Sequence, residues 1–230
     1  MKRLLSELID LFYPRLCLIC QQQLMANERH LCLHCLQQMP RTHYHRQPGN
    51  PVEQLFWGKV EIVSAQAYFF FLPEGHFRHL IHAIKYAGQA DAARYLGARY
   101  AAEIAADGKL TDIDYLVPVP LHPKRFRQRG YNQSEKIAHG VADVFHKPVL
   151  TKLLYRKYAS ETQTHKSVYD RWENMQGIFG THEVELPLYP HLLLIDDVIT
   201  TGATLTACAQ EILLRHPTAR ISILSLAVAP

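Results

Sequence analysis

Residues Leu192–Thr204 read LLLIDDVITTGAT, and the fold turns on this stretch. Four aliphatic residues in a row suit a strand buried on both faces, as strands inside a parallel sheet are. The strand predicted over Leu192–Ile195 delivers two adjacent acids, Asp196 and Asp197. Val198 and Ile199 then lead into a turn of Thr200, Thr201, Gly202, Ala203 and Thr204. A helix is predicted from about Ala203 to Arg215, so the turn opens directly onto a helix start. Gly202 gives the backbone the freedom a tight turn requires. The helix start aims unpaired N–H groups and its positive dipole end at one point, where Thr200, Thr201 and Thr204 can add hydroxyl donors. Such a loop cradles a phosphate monoester. Asp196 and Asp197 would repel a phosphate; carboxylates suit vicinal sugar hydroxyls or a Mg²⁺ ion. Sugar hydroxyls at one end and a phosphate at the other describe a ribose 5-phosphate. An ordinary capped helix entry accounts for one Asp and one Thr, but not for the run. The loop lacks the Gly-Lys-Ser/Thr ending of a nucleoside-triphosphatase, and no Gly-x-Gly-x-x-Gly occurs for a dinucleotide fold.

Upstream, residues 60–72 predict a strand, and Gly75 to Ala106 a helical stretch broken at Gly88. Tyr115–Val119 is a short strand bounded by Pro118 and Pro120. A helix starts at Asn132, with Glu135 placed for a capping-box pair. Val149–Leu154 predicts a further strand, residues 155–178 a long polar loop, and Ile221–Val228 the last strand. Strands alternating with helices argue for a parallel α/β sheet with ligands beyond the carboxyl ends of its strands. Lys124, Arg125, Arg127 and Arg129 lie at that edge with no acid among them. Residues 120–171 hold 11 cations against 4 acids, a net +7 that exceeds the +4 of the whole chain. An anionic partner follows, either a polyphosphate or a nucleic acid against which Phe126 and Tyr131 could stack. The plain alternative is a solvated turn.

Of 230 residues, 48% are hydrophobic and 20% charged, which excludes a disordered chain, and five cysteines are too few for a disulfide scaffold. No apolar stretch approaches the roughly 18–20 residues of a spanning helix. Glu7 and Asp10 interrupt the N-terminal apolar residues, which read as an amphipathic helix along Leu4, Leu8 and Leu11 and not as a secretion signal. A cytoplasmic protein is expected. Cys17, Cys20, Cys32 and Cys35 form two Cys-x2-Cys pairs, the pattern of a structural Zn²⁺ site with all four positions filled by sulfur. A dithiol redox pair or an iron–sulfur site are the alternatives. His30 and His34 stand beside the second pair as possible replacement ligands or as exposed hairpin residues. The expected organisation is a helix plus zinc module over 1–45, a linker over 46–54, and an α/β domain over 55–230.

LLLIDDVITTGAT resembles the 5-phosphoribosyl-1-pyrophosphate (PRPP) loop of type I phosphoribosyltransferases. The four-cysteine start, with PVPLHPKRFRQRGYNQSE (118–135) and QTHKSVYDRWENMQGIF (163–179), resembles the bacterial ComF family over nearly the whole chain. The resemblance implies a type I phosphoribosyltransferase-like parallel sheet with flanking helices, preceded by a small four-cysteine zinc-ribbon module. It implies PRPP binding at Asp196, Asp197, Thr200, Thr201, Gly202, Ala203 and Thr204. Arg129 and Gly130 would lie near the diphosphate, with Lys124 and Arg125 beside them. Mg²⁺ would arrive with PRPP and reach Asp196 and Asp197 through the ligand. The implied activity is Mg²⁺-dependent transfer of phosphoribose to an unnamed acceptor, linked to DNA uptake in transformation; no catalytic base is identified. The loop 155–178, with Arg156, Lys157, Lys166 and Arg171, would serve as a hood excluding water. The alternative is a non-catalytic component that binds single-stranded DNA, a competence helicase or another translocation protein, with PRPP or a nucleotide as structural or regulatory ligand and no insertion into the membrane.

Three further signals stay outside that frame. His76, His79 and His82 recur every third residue, a spacing that spreads them around a helix and cannot converge on one metal. Cys208 shares a helix face with Leu205 and Ile212 and reads as a buried thiol. Lys85–Tyr86 matches a pair associated with the family, without an assigned role.

Overall fold

The computed structural model describes residues 14–72, 74–157 and 177–229. The expected N-terminal amphipathic helix and most of the expected hood, including Lys166 and Arg171, lie outside the described residues. Helix α1 (Leu33–Gln37) closes the cysteine module, and α2 (Pro51–Gln54) precedes strand β1 (Ser64–Phe70). Helices α3 (Arg78–Tyr86) and α4 (Ala90–Ala106) lead to β2 (Tyr115–Pro118), followed by α5 (Pro123–Arg129) and α6 (Gln133–Phe145). A short antiparallel pair, β3 (Leu154–Arg156) and β4 (Phe179–Thr181), stands apart. The remaining elements are β5 (His191–Ile199), α7 (Ala203–Arg215) and β6 (Arg220–Val228).

The main sheet has the order β1-β6-β5-β2, with every neighbouring pair parallel. Strand β5 is interior and covered on both faces, which is why its sequence opens as an unbroken aliphatic run: Leu192, Leu193, Leu194 and Ile195 are all fully buried. On one face Leu193 and Ile195 belong to the apolar cluster that also holds Leu96 and Ile104 of α4 and Ile137 and Val141 of α6. The other packs against α7, where Leu192 and Leu194 meet Leu205, Cys208 and Ile212. The expected burial of Cys208 is what the structure shows.

Helices α4 and α6 cross closely because each presents a glycine at the contact. A Cβ on Gly97 would lie 2.4 Å from the Ile137 carbonyl oxygen, and one on Gly140 would lie 2.0 Å from that of Arg94. Asn132 caps α6 as expected, its Oδ1 accepting from the Ser134 amide at 3.1 Å while its Nδ2 donates to the Val119 carbonyl at 2.9 Å. The cap thereby ties the helix start to the end of β2. Two elements differ from the sequence-based expectation. The basic segment is helix α5, opened by Pro123 behind the His122 cap and ended by Gly130 at φ +78°. The strand expected over Val149–Leu154 shrinks to a single bridge from Val149 to Leu116, and pairing resumes at Leu154.

The cysteine module shares its core with the α/β body. Leu24, Leu31, Leu36 and Met39 join the apolar cluster that contains Tyr68, Leu96 and Tyr100. Residues 46–54, read as a linker, are fastened down at Asn50. Its buried side chain donates to the carbonyls of Tyr44, Gln47 and Ala65 and caps α2 through the Val52 and Glu53 amides. Both edges of the main sheet are covered by the chain itself. Along β1, the Thr42 amide donates to the Tyr68 carbonyl and the Phe70 amide to that of Pro40. Along β2, the Leu116 amide donates to Pro148, and the Leu150 amide donates to Leu116. Among the described residues no helix is long and apolar enough to cross a membrane.

Candidate functional site

Strand β5 extends beyond the aliphatic run, so both acids lie within it, at its carboxyl end. The two carboxylates are held differently. Asp196 Oδ1 accepts from the Ser134 hydroxyl at 2.9 Å and from the Asp197 amide at 2.8 Å. Asp197 Oδ2 pairs with Lys85 Nζ at 3.2 Å. Burial, and after it the Asp197 charge, raises the Asp196 pKa to about 7, although the Asp197 amide, the Ser134 hydroxyl and Lys85 all pull it down. Beyond Ile199 the chain turns at Gly202, which has φ +75° and packs so that a Cβ would meet Phe56 at 3.3 Å. The positive φ favours glycine there, and any larger residue would also have to push the Phe56 ring aside.

The amides of this turn are largely uncommitted. Ala203 N–H donates to Thr201 Oγ1 at 3.4 Å, while those of Thr200, Thr201, Gly202 and Thr204 have no partner among the described residues. Thr200 and Thr201 are exposed and Thr204 is half-buried. The turn therefore leaves four amides without a partner among the described residues at the start of a 13-residue helix, directly after the strand that carries the acid pair.

Arg129 comes off the last turn of α5. Its Nη1 donates to Gln133 Oε1 at 2.9 Å and its Nη2 to the Tyr86 hydroxyl at 3.3 Å, and the guanidinium carbon lies 4.9 Å from the centre of the Tyr86 ring. Because Tyr86 follows Lys85 and Gln133 precedes Ser134, Arg129 and the acid pair are joined through two short segments. Gly130 spends its amide on the Phe126 carbonyl at 2.8 Å, closing the helix. Lys124 and Arg125 are exposed on α5, which buries none of its residues. Arg156 is half-buried beneath the same edge, stacked 5.5 Å from the centre of Phe179; burial, then the charge of Arg125, lowers its pKa.

Sequence reasoning missed Ser134 and Gln133 and left Lys85–Tyr86 without a role. The signal for the first two was their position directly after the Asn132 cap, which places both in the first turn of a helix that starts at the strand ends.

The second site is the cysteine cluster. The four sulfurs of Cys17, Cys20, Cys32 and Cys35 all lie within 4.8 Å of one another, with Cys20 and Cys32 at 3.7 Å. Thiolates bound at roughly 2.3 Å to a tetrahedral zinc lie about 3.8 Å apart, so the set fits a structural Zn²⁺ with no open position. Burial of Cys17 works against its ionisation, but donation from the amides of Cys20, Cys32 and Ile19 outweighs it and lowers the pKa to about 7. His34 is exposed, and His30 packs 5.5 Å from Tyr95; neither belongs to the cluster. Among the described residues no other group of three or more side chains could hold a metal. The His76, His79 and His82 series forms none, and the acid pair offers two carboxylates, one of them already paired with Lys85. A Mg²⁺ there would depend on oxygens brought by a ligand.

The family model described as a double zinc ribbon domain matches residues 8–54. The chain is 27% identical to the DNA utilization protein YhgH of Escherichia coli K12 over 91% of this chain and 95% of that protein. It is 30% identical to Competence protein F of Haemophilus influenzae over 85% of this chain and 82% of that protein. The chain belongs to the ComF family. Competence protein ComFC of Bacillus subtilis is 32% identical over 48% of this chain and 43% of that protein. In this ComF-family chain the zinc ribbon and the parallel α/β sheet are thus both present, with the acid pair, the Gly202 turn and Arg129 gathered at the carboxyl edge of the sheet.

Proposed function

We propose that this protein binds PRPP at the carboxyl end of β5 and transfers its phosphoribosyl group to an acceptor, in the service of DNA uptake or DNA use. The observation that carries the reading is the pairing of two features on one loop. Two adjacent carboxylates lie near the carboxyl end of the strand, and four amides without a partner among the described residues follow around a left-handed Gly202. Asp196 and Asp197 would accept from the ribose hydroxyls, and the Thr200–Thr204 amides would hold the 5′-phosphate. Arg129, locked by Tyr86 and Gln133, would meet the diphosphate with a fixed fork. In transfer, the bond from C1 to diphosphate breaks as an acceptor nitrogen bonds to C1 and gives up its proton. Charge collects on the leaving group, so positioned cations and donors supply most of the stabilisation. Mg²⁺ bound to the diphosphate would screen that charge. The names of the relatives, DNA utilization and competence proteins, support the link to DNA.

Calorimetric titration with PRPP and Mg²⁺ is expected to give a saturable one-to-one isotherm. Gly202→Val is expected to weaken it by about tenfold or more by displacing the amides. Absence of binding by the zinc-loaded wild type would end this reading. Diphosphate release measured with a panel of bases and nucleosides then identifies the acceptor.

A specific observation also favours the second reading, a non-catalytic protein that binds single-stranded DNA. Helix α5 buries nothing and exposes Lys124, Arg125, Phe126 and Arg127 together, cations interleaved with a stacking ring. Binding to single strands that falls with salt and is lost on reversing charge at Arg125 and Arg127 supports it. PRPP binding with no diphosphate released to any acceptor shifts the balance the same way.

A further inference from the structure

We propose that Lys85 and Tyr86, the last two residues of α3, are the positioning residues of this site: Lys85 pairs with Asp197 and aims its carboxylate, and Tyr86, with Gln133, fixes the Arg129 guanidinium. The inference deepens the phosphoribosyl reading, and only its ligand arm rests on that reading.

Two neighbouring carboxylates withdrawn from water repel each other, and each loses hydration. Lys85 is the cation in ion-pair contact with one of them, Asp197, among the described residues, and its side chain is only 23% exposed, against 13% for that of Asp197. The other groups that face the pair are the Ser134 hydroxyl from α6, Cys208 from α7 and Arg156 from β3, and of these only Arg156 is cationic. Lys85 sits in the last turn of its helix, where the dipole favours positive charge. Its neighbour has no packing reason to be aromatic. Tyr86 is 54% exposed, and its ring lies against His82 and beneath Arg129. On the far side of the guanidinium, Gln133 is 1% exposed. Its Oε1 is taken by Arg129, and its buried Nε2 has no partner among the described residues. An apolar residue would be cheaper at such a position, so the amide is there to hold Arg129. One helix end thus sets the sign of the sugar side of the site and the direction of its cation.

The test uses the full-length, zinc-loaded protein. Carboxyl ¹³C NMR titration of aspartate-labelled protein, without ligand, is expected to show the Asp196–Asp197 pair taking up protons about one pH unit or more higher in Lys85→Met than in wild type, with Lys85→Arg restoring it. Arg129 Nε–H relaxation is expected to show a looser side chain in Tyr86→Leu and a retained one in Tyr86→Phe. With PRPP and Mg²⁺, Lys85→Met and Tyr86→Leu are each expected to weaken binding about tenfold, and the two conservative variants to stay nearer wild type. An unmoved titration in Lys85→Met, or an Arg129 equally rigid in Tyr86→Leu, overturns the corresponding role. If the wild type binds no PRPP, the phosphoribosyl reading fails, while the two ligand-free measurements still decide whether these residues position the charges.

Discussion

Asp196 carries the most pH-sensitive charge of the candidate site. Its pKa rises from an ordinary 3.8 to about 7, because burial and then the Asp197 charge disfavour its ionised form. An acid whose native pKa lies above its unfolded value binds its proton more tightly when folded. Its contribution is therefore fullest at low pH, below the unfolded value, and is lost as pH climbs from about 4 toward 7. Asp196→Asn removes the titration. Relative to that variant, the wild type should lose about 1–2 kcal/mol of stability between pH 5 and pH 8, a window that covers only part of the span between the unfolded and folded pKa values. Urea midpoints of both proteins across that range measure it, and parallel curves would show that Asp196 ionises in the native state as it does in the unfolded chain.

At the scale of elements, the crossing of α4 and α6 depends on what is missing from Gly97 and Gly140. A methyl group at Gly140 would overlap the Arg94 carbonyl oxygen at 2.0 Å, backbone against backbone, so the helices must move apart. Gly140→Ala is expected to cost about 1–3 kcal/mol in denaturant unfolding despite its higher helix propensity. That crossing was invisible in the sequence, where neither glycine has a turn signal beside it. What was legible came from strong local patterns: the LLLI run, the Gly88 break between α3 and α4, and the Asn132 cap. Helix α5 was not legible because it buries no residue and so has no apolar stripe. The flanking His122-Pro123 start and Gly130 stop were there to be read. The strand at Val149 failed for the opposite reason, since its apolar residues pack after one bridge without continuing a ladder. In the candidate site, the acid pair and the turn were legible from chemistry on one loop. Lys85, Tyr86, Gln133 and Ser134 come from two helices distant in sequence, and only folding reveals that they converge.

For the whole molecule, the decisive fact is that the zinc ribbon and the α/β body share one apolar core. Cys17, Leu31 and Met39 lie in the same cluster as Tyr68 and Tyr100, and polar contacts reinforce the join. Arg41 pairs with Glu103, whose Oε1 also accepts from the Tyr68 hydroxyl at 2.8 Å, and His45 and Arg46 both meet Asp107. Chelating the zinc should therefore lower the thermal midpoint of the entire chain, by about 5 °C or more, and should not produce a separate minor melt of the ribbon. Far- and near-ultraviolet circular dichroism, followed together with and without chelator, distinguishes the two. The two outer strands carry a different consequence. With Pro40–Thr42 lying along one and Pro148–Leu150 along the other, the outward backbone groups at Tyr68, Phe70 and Leu116 are already paired. To lengthen the main sheet, a strand borrowed from a partner, or from a second copy stacking toward a fibril, would first have to displace these segments.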